Sequence, residues 1–245
     1  MRRPFYEKYA WVYDRIITRN ISAECDFIEN CFEGKKTLFD AGCGTGNYSI
    51  ALTKRNFSVT AFDASESLLE VAKMKADKEK TEIEFILGNL LNLPEEKKFD
   101  AVLCRGVLND IIGNSERKRV FSEFAKVLLP GGMIILDVRE WGESAKLKKE
   151  SPQFEKRINV DGELLEFRAT TKLDVENRQL LIKEEHKYKG NYDTYDFIMK
   201  CWTKEELLNI LKHSGFLNIE LFGGYDRKIP VGSTDRIVVV GSLKK

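Results

Sequence analysis

The sequence predicts an α/β protein built on a doubly wound, mostly parallel sheet, and three observations carry that expectation. Short apolar runs without polar alternation, as in strands buried on both faces, alternate with helix-period segments from residue 36 to residue 138. The first run, "KTLFDAG", passes through a glycine-rich turn straight into a helix-like segment. The length, 245 residues, suits one large α/β domain better than two small ones.

Residues 5–17 and 20–32 are both helix-like, with Ile21, Cys25, Ile28 and Phe32 on one face. "KTLFDAG" is a strand, "NYSIALTKRN" a helix and "SVTAFD" a strand; "SESLLEVAKMKADKE" is a helix with Ser65 as its N-cap. "EIEFILG" and "FDAVLC" read as strands and "SERKRVFSEFAKVLL" as a helix. A break at Pro130-Gly131-Gly132 precedes the strand "GMIILDV".

After Arg139 the pattern changes. "AKLKKESPQFEKR" is polar and helix-like or irregular. "ELLEFRATTKLDV" and "RQLLIKEEHKYKG" alternate with period two, Leu165, Phe167, Ala169 and Thr171 sharing a face, and "ENR" turns them into an antiparallel hairpin. "YDTYDFIMKC" is a third strand. "WTKEELLNILKHSGF" opens with a capping box, Thr203 to Glu206, and stops at Gly215; "LNIELFG" and "DRIVVVGS" are closing strands. Residues 140–200 carry too little apolar surface for a core of their own. They read as an antiparallel β insert laid over a domain made of 1–139 and 201–245.

Composition narrows the function. Apolar residues make up 42% and charged residues 32%, as expected for a packed core under a solvated surface. Forty basic and thirty-nine acidic residues leave a net charge of +1, which gives no electrostatic footprint for nucleic acid. No apolar run approaches membrane-spanning length, and "MRRPFYEKYAWVYDRI" is charged and aromatic rather than signal-like. Five scattered cysteines without a C-x-x-C pair read as reduced, and the expected location is cytoplasmic. The two histidines, His186 and His213, lie far apart, so no metal site is expected.

The glycine turn raises the functional question. Gly42, Gly44 and Gly46 leave a strand and enter a helix, either as a tight turn alone or as a place where a ligand lies against backbone. Asp63 ends the second strand, where a carboxylate can accept both hydroxyls of a ribose. A dinucleotide dehydrogenase would share that carboxylate, but its G-x-G-x-x-G pattern fails here in both frames, on Asn47 and on Ser49. Asp40 stands ahead of the glycines, and negative charge there suits an ammonium group rather than a pyrophosphate.

"FDAGCGTGNYS" resembles the first motif of the class I S-adenosylmethionine-dependent methyltransferases, and "VTAFDAS" the acidic end of their second strand. "ILGNLLNLP" is similar to their third-strand motif, with Asn89 in place of the usual Asp. "FDAVLCRGVLND" and "VLLPGGMIILDV" match their fourth and fifth strands. "YEKYAWVYDRI" and "CWTKEELLNILKHSGFLNIELFGG" are similar to the first helix and to the last helix and strand of small-molecule members, including the amino-sugar and small-amine branch. The resemblance implies a Rossmann-like, seven-stranded sheet with an antiparallel C-terminal strand, and S-adenosyl-L-methionine as co-substrate. It implies that Gly42, Cys43, Gly44 and Gly46 cradle the methionine part with Asp40 nearby, and that Asp63 and Ala64 hold the ribose. Asn89 and Leu90 would meet the adenine, Cys104 and Arg105 would lie beside the methionine, and Tyr13 near the sulfonium.

Other residues keep two readings. Tyr6, Tyr9 and Trp11 are core or a mobile flap; Asn109 and Asp110 cap a turn or touch substrate. One of Arg139, Glu140 and Trp141 faces substrate. His186 is the tempting general base, against packing on a strand, and His213 suits a helix C-terminus. Cys43 lacks a histidine partner nearby in sequence and reads as inert; the lysines at 146–149 read as solvated surface.

The expected reaction is methyl transfer to a small-molecule N or O nucleophile, chiefly by proximity and orientation, in a monomer or homodimer, with 140–200 as a lid. Tyr13 and His186 are the candidate catalytic groups. The rival functions are a nucleic-acid methyltransferase, an NAD(P)-dependent oxidoreductase and a non-catalytic S-adenosylmethionine-binding protein.

Overall fold

In the computed structural model residues 4–245 are described; Met1 to Arg3, the start of the charged N-terminal stretch, lie outside them. The N-terminal arm is not one helix but α1 (Pro4–Lys8), a 3-10 turn (Ala10–Val12) and α2 (Tyr13–Ile16). Aromatic and β-branched side chains lose rotamer freedom in a helix, and here packing decides the backbone path instead. α3 (Ile21–Cys31) follows, capped by the Asn20 side chain, which accepts from Ala23 N–H at 3.3 Å.

The βα alternation comes next: β1 (Thr37–Ala41), α4 (Asn47–Thr53), β2 (Ser58–Asp63), α5 (Glu66–Lys78), β3 (Glu84–Leu87), β4 (Phe99–Arg105), α6 (Asn114–Val127) and β5 (Leu128–Arg139). Ser65 caps α5, its Oγ accepting from Leu68 N–H. The helix expected to reach Leu129 ends at Val127, because Leu128 already pairs with Phe99 in the sheet. The next pair is Ala101 with Met133, so the Pro-Gly-Gly segment bulges out of β5 rather than preceding it.

Then come α7 (Trp141–Glu150), β6 (Gln153–Val160), β7 (Glu163–Asp174), β8 (Gln179–Tyr188), β9 (Asn191–Lys200), α8 (Lys204–His213), β10 (Phe216–Phe222) and β11 (Arg236–Leu243). Thr203 caps α8 through Glu206 N–H, and Gly215 closes it at φ +87°. The seven-stranded sheet has the order β10-β11-β5-β4-β1-β2-β3, with β11 antiparallel to both neighbours. Apolar clusters cover both faces: Phe121, Phe124 and Trp202 on one, Ile28, Phe32 and Leu52 on the other.

Residues 153–200 form a second, antiparallel sheet of order β6-β7-β8-β9. Three of its strands match the expected hairpin and third strand; β6 replaces what read as helix-like or irregular sequence. Only Val160 of β6 is buried, so this edge strand offers no apolar alternation to read. The inner face does not close on itself. Val160, Leu165 and Phe167 pack against Phe5, Tyr9, Val12 and Ile16 of the N-terminal arm.

Candidate active site

The strand order reverses direction between β1 and β4, and ligands of open α/β sheets bind at such a point, off the C-terminal strand ends. A cavity of about 340 Å³ opens there. The turns after β1, β2, β3 and β4 wall it, with Tyr6, Tyr13 and Arg19 of the N-terminal arm.

The turn after β1 is held by its own amides. Gly42 N–H and Cys43 N–H both donate to Phe62 O, at 2.7 and 3.0 Å, and Gly46 N–H donates to Cys43 O. Gly44 N–H donates to Asp63 Oδ2 at 2.8 Å, and Ser65 N–H donates to Asp63 Oδ1 at 2.9 Å. These four loop amides are therefore spent within the protein and not available to an anion. Positive φ is required at Gly42, and a Cβ there would sit 2.3 Å from Val107 Cγ2. Asp63 keeps lone pairs beyond the two amide bonds, and burial raises its pKa against the pull of those amides.

Arg105 leaves the end of β4 between two rings, 4.0 Å over Tyr48 and 4.3 Å over Tyr225. It pairs with Glu24 at 2.6 Å and with Asp137 at 3.2 Å. Its buried Nη1 has no hydrogen-bond partner although the residue lines the cavity. Asp137 also receives Gly106 N–H, Tyr225 O–H and Arg236. Burial alone would raise its pKa, but Arg105, Arg236 and Arg19 hold it down at about 2.

The arm is clasped to the glycine turn through Asp14. Its Oδ1 accepts from Thr45 Oγ1 at 2.6 Å and from Asn47 Nδ2 at 2.8 Å, and its Oδ2 pairs with Lys75 at 2.7 Å. This places Tyr6 and Tyr13, ring centroids 5.7 Å apart and nearly perpendicular, over the cavity. A second cavity of about 280 Å³ adjoins the first, sharing Tyr6, Tyr13, Arg19 and Gly106 with it. Its remaining wall comes from the rim of the large sheet, from α7 and from the inner face of the second sheet.

A methyltransferase domain model matches residues 38–132, which carry the first cavity's glycine turn, Asp63 and the β3 and β4 turns. These residues carry a methyltransferase domain. A protein from Geobacillus sp. (strain WCH70), provisionally named a methyltransferase, is 33% identical over 141 residues, covering 54% of this chain and 57% of that protein. A mitochondrial ubiquinone biosynthesis O-methyltransferase of Schizosaccharomyces pombe is 35% identical over 53% of this chain and 50% of its own length. The chain thus spans little more than half the length of these curated relatives. Among solved structures, an S-adenosylmethionine-dependent methyltransferase from Clostridium acetobutylicum ATCC 824 superposes with TM-score 0.81 at 23% identity, covering 97% of this chain and 98% of that one. A sugar N-methyltransferase from Streptoalloteichus sp. ATCC 53650 gives TM-score 0.77 at 15% identity, covering 98% and 94%. These last two likenesses are of fold.

Within the methyltransferase domain and its arm, Tyr13, Gly42, Cys43, Gly44, Asp63, Ala64, Asn89, Leu90 and Arg105 line the first cavity. Four expected residues do not. Asp40 is buried behind the turn, where its Oδ2 accepts from Ser49 Oγ, and burial raises its pKa to about 6. Gly46 serves packing, since a Cβ there would lie 2.9 Å from Ala72 Cβ of α5. Cys104 is wholly inside the sheet core. His186 is buried among rings, stacked on Tyr9 and Phe5 at 4.7 and 5.0 Å, and lines neither cavity. Asn89 Oδ1 accepts from Leu91 N–H, turning its own loop.

The residues with two readings divide. Tyr6 lines both cavities, Tyr9 is core with its hydroxyl on Asp193, and Trp11 lies half-exposed against Tyr188. Asn109 ties Arg139 N–H to Lys200 O and also lines the second cavity; Asp110 lines the first. Of the three residues at the end of β5 and the start of α7, Arg139 lines the second cavity, whereas Glu140 caps α7 and Trp141 packs on Leu180 and Ile182. Lys148, read as surface, lines the second cavity. His213 Nδ1 meets Asn209 O in the last turn of α8. Cys43 and Cys104 thiols are raised well above their usual range by burial, and all five cysteines are buried and unbridged. Sequence reasoning missed Arg19 and Glu184, which stand in polar surroundings with no motif around them. Among the described residues no cluster of His, Cys, Asp and Glu could hold a metal, and no helix is long and apolar enough to cross a membrane.

Proposed function

We propose that the chain transfers the methyl group of S-adenosylmethionine to a small-molecule acceptor, the donor lying in the first cavity and the acceptor in the second. The observation that carries this reading is the neck between two cavities, walled by Tyr6, Tyr13, Arg19 and Gly106. A donor and an acceptor meeting at one neck can be held in line, and proximity of that kind supplies on the order of 7–11 kcal/mol.

The residues fit the donor part by part. The remaining lone pairs of Asp63 suit the two ribose hydroxyls, and Asn89 and Leu90 stand where the adenine edge would reach. The orphaned Nη1 of Arg105 and the Arg19 guanidinium suit the amino-acid carboxylate. Tyr6 and Tyr13 offer ring faces and phenol oxygens to a sulfonium, whose bound methyl is already activated. The chain's own work is then to orient, to cover the neck and to exclude water. A pyrophosphate would meet a turn whose amides are spent on Phe62, Asp63 and Cys43, which weighs against a dehydrogenase. Near-neutral charge weighs against nucleic acid as acceptor. The second sheet would act as the acceptor-side lid, docked through the N-terminal arm.

The test is incubation of the purified protein with methyl-labelled donor and a metabolite extract, followed by mass spectrometry. A labelled small molecule that disappears with Asp63→Asn is expected. Labelled RNA or DNA alone, or no labelled product despite donor binding, would overturn the reading.

A further inference from the structure

The second cavity carries unlike charges on different walls. From the rim of the large sheet and from α7, Arg139, Lys148 and Arg236 line it. Arg139 is paired with Asp235, and Arg236 with Asp137 at 3.0 Å, a carboxylate it shares with Arg105. Lys148 has no ion pair or hydrogen bond among the described residues, and burial, then Arg139, lowers its pKa against the weaker pull of Asp235. Burial, then Arg236, lowers that of Arg139 as well. Three cations near enough to repel one another, one of them unpaired, make a site short of an anion.

On the second-sheet wall the sign is reversed. Glu184 of β8 lines the cavity between its strand partners Ala169 and Tyr195, and it is buried. Its buried Oε2 has no hydrogen-bond donor; His186 Nε2 stands 3.6 Å away, within ion-pair distance but beyond hydrogen-bond reach. A buried carboxylate short of donors is costly, and Glu184 lines the cavity from which a donor to its other oxygen can come. Between these poles the lining is apolar and aromatic: Phe5, Phe154, Phe167, Ile182, Phe197 and Met199.

Resting on the two-cavity reading, we infer that the acceptor is an amine that also bears an anionic group, carboxylate or phosphate, on a ring-sized apolar body. Its N–H groups meet Glu184, its anion meets Lys148 and the two arginines, and its body lies against the phenylalanines. The cavity volume of about 280 Å³ holds one such molecule, with every atom close to the neck. A neutral quinol or phenol would give half-buried Lys148 no anion and buried Glu184 no N–H donor, which selects against it.

A matched set of probes tests this on the protein saturated with S-adenosylhomocysteine: L-phenylalanine, phenethylamine, 3-phenylpropanoate and 3-phenylpropanol, titrated by calorimetry. They share a phenylethyl unit and differ in which charged groups it bears. L-Phenylalanine is expected to bind at least tenfold tighter than either singly charged probe, and the alcohol weakest. Lys148→Met should weaken the two carboxylates about tenfold and leave phenethylamine unchanged, with Lys148→Arg restoring them. Glu184→Gln should weaken the two amines alone. Methylphosphonate in place of the carboxylate distinguishes the two anion sources. The inference is overturned if the alcohol binds as tightly as the amino acid, if the variants weaken all four alike, or if no charged probe binds while S-adenosylhomocysteine does. Failure to bind S-adenosylhomocysteine takes down the two-cavity reading as well, and is seen before any probe is added.

Discussion

The two cavities are built on opposite plans. The first draws its wall from consecutive strand-end turns, residues 42–48, 62–68, 88–91 and 105–116, with only three residues of the arm added. The second joins the arm, the rim after β4 and β5, α7, four strands of the second sheet and β11. On the proposed reading, donor binding depends on local backbone geometry that the large sheet over-determines, and acceptor binding on long-range docking of separate pieces. A methyl donor common to many reactions suits the first plan, and a particular acceptor suits the second.

Arg117 offers the harshest way to break that contrast. It is fully buried, lies 3.6 Å over the Trp202 ring, pairs with Glu206 at 2.6 Å and donates to Lys200 O and Cys201 O, tying the end of β9 to α6 and α8. Arg117→Met removes the shorter of Glu206's two ion pairs and the side-chain donor to Cys201 O, a loss of about 3–5 kcal/mol, or about 10 °C in Tm by thermal denaturation. Donor affinity of the protein still folded at 20 °C should stay within threefold. A fall in donor affinity as large as the fall in stability would show that the two plans are not separable.

Asp40 sharpens the first plan through pH. Its pKa rises from 3.8 to about 6 on folding, by burial, so the folded state holds its proton more tightly than the unfolded chain. Its stability contribution is fully present below pH 4 and is lost as pH rises through about 6, amounting to about 3 kcal/mol. Urea unfolding of Asp40→Asn should lack this term, so the variant gains on the native protein between pH 4 and 7. Asp137 works the other way, held at about 2, so its contribution is present above its unfolded value and lost only in stronger acid.

Gly42→Ala attacks the turn itself. Positive φ and a Cβ 2.3 Å from Val107 Cγ2 force the loop to move. S-Adenosylhomocysteine should bind about 30-fold more weakly, about 2 kcal/mol, read by calorimetry. The smallest effect is expected at the clasp. Asp14→Ala frees Thr45, Asn47 and Lys75 from the arm, and donor and acceptor affinities should each fall about fivefold, about 1 kcal/mol, because the arm walls both cavities. An effect on one ligand alone would restrict the arm to one cavity.

The same contrast explains what was legible in the sequence. β1, β2 and β4 are largely apolar runs, and Gly42, Gly44 and Asp63 lie at motif spacing at their ends, so the fold and the lining of the first cavity could be read from consecutive residues. What failed there failed for side-chain direction: Asp40, Gly46 and Cys104 belong to the right segments but face helix or core. β6 was hidden because an edge strand with one buried residue has no period to detect. Lys148 sits in a lysine-rich helix that any reading of charge places in solvent, and Glu184 in a strand whose neighbours Lys183 and Glu185 look alike. Only the docking of the second sheet on the arm gives either residue its meaning.

Titration of the native protein, Asp63→Asn and Glu184→Gln with S-adenosylhomocysteine tests the division most directly. The account predicts one site per chain in the native protein, about 30-fold weaker binding in Asp63→Asn, and unchanged binding in Glu184→Gln. No heat with the native protein, or a loss confined to Glu184→Gln, would contradict it.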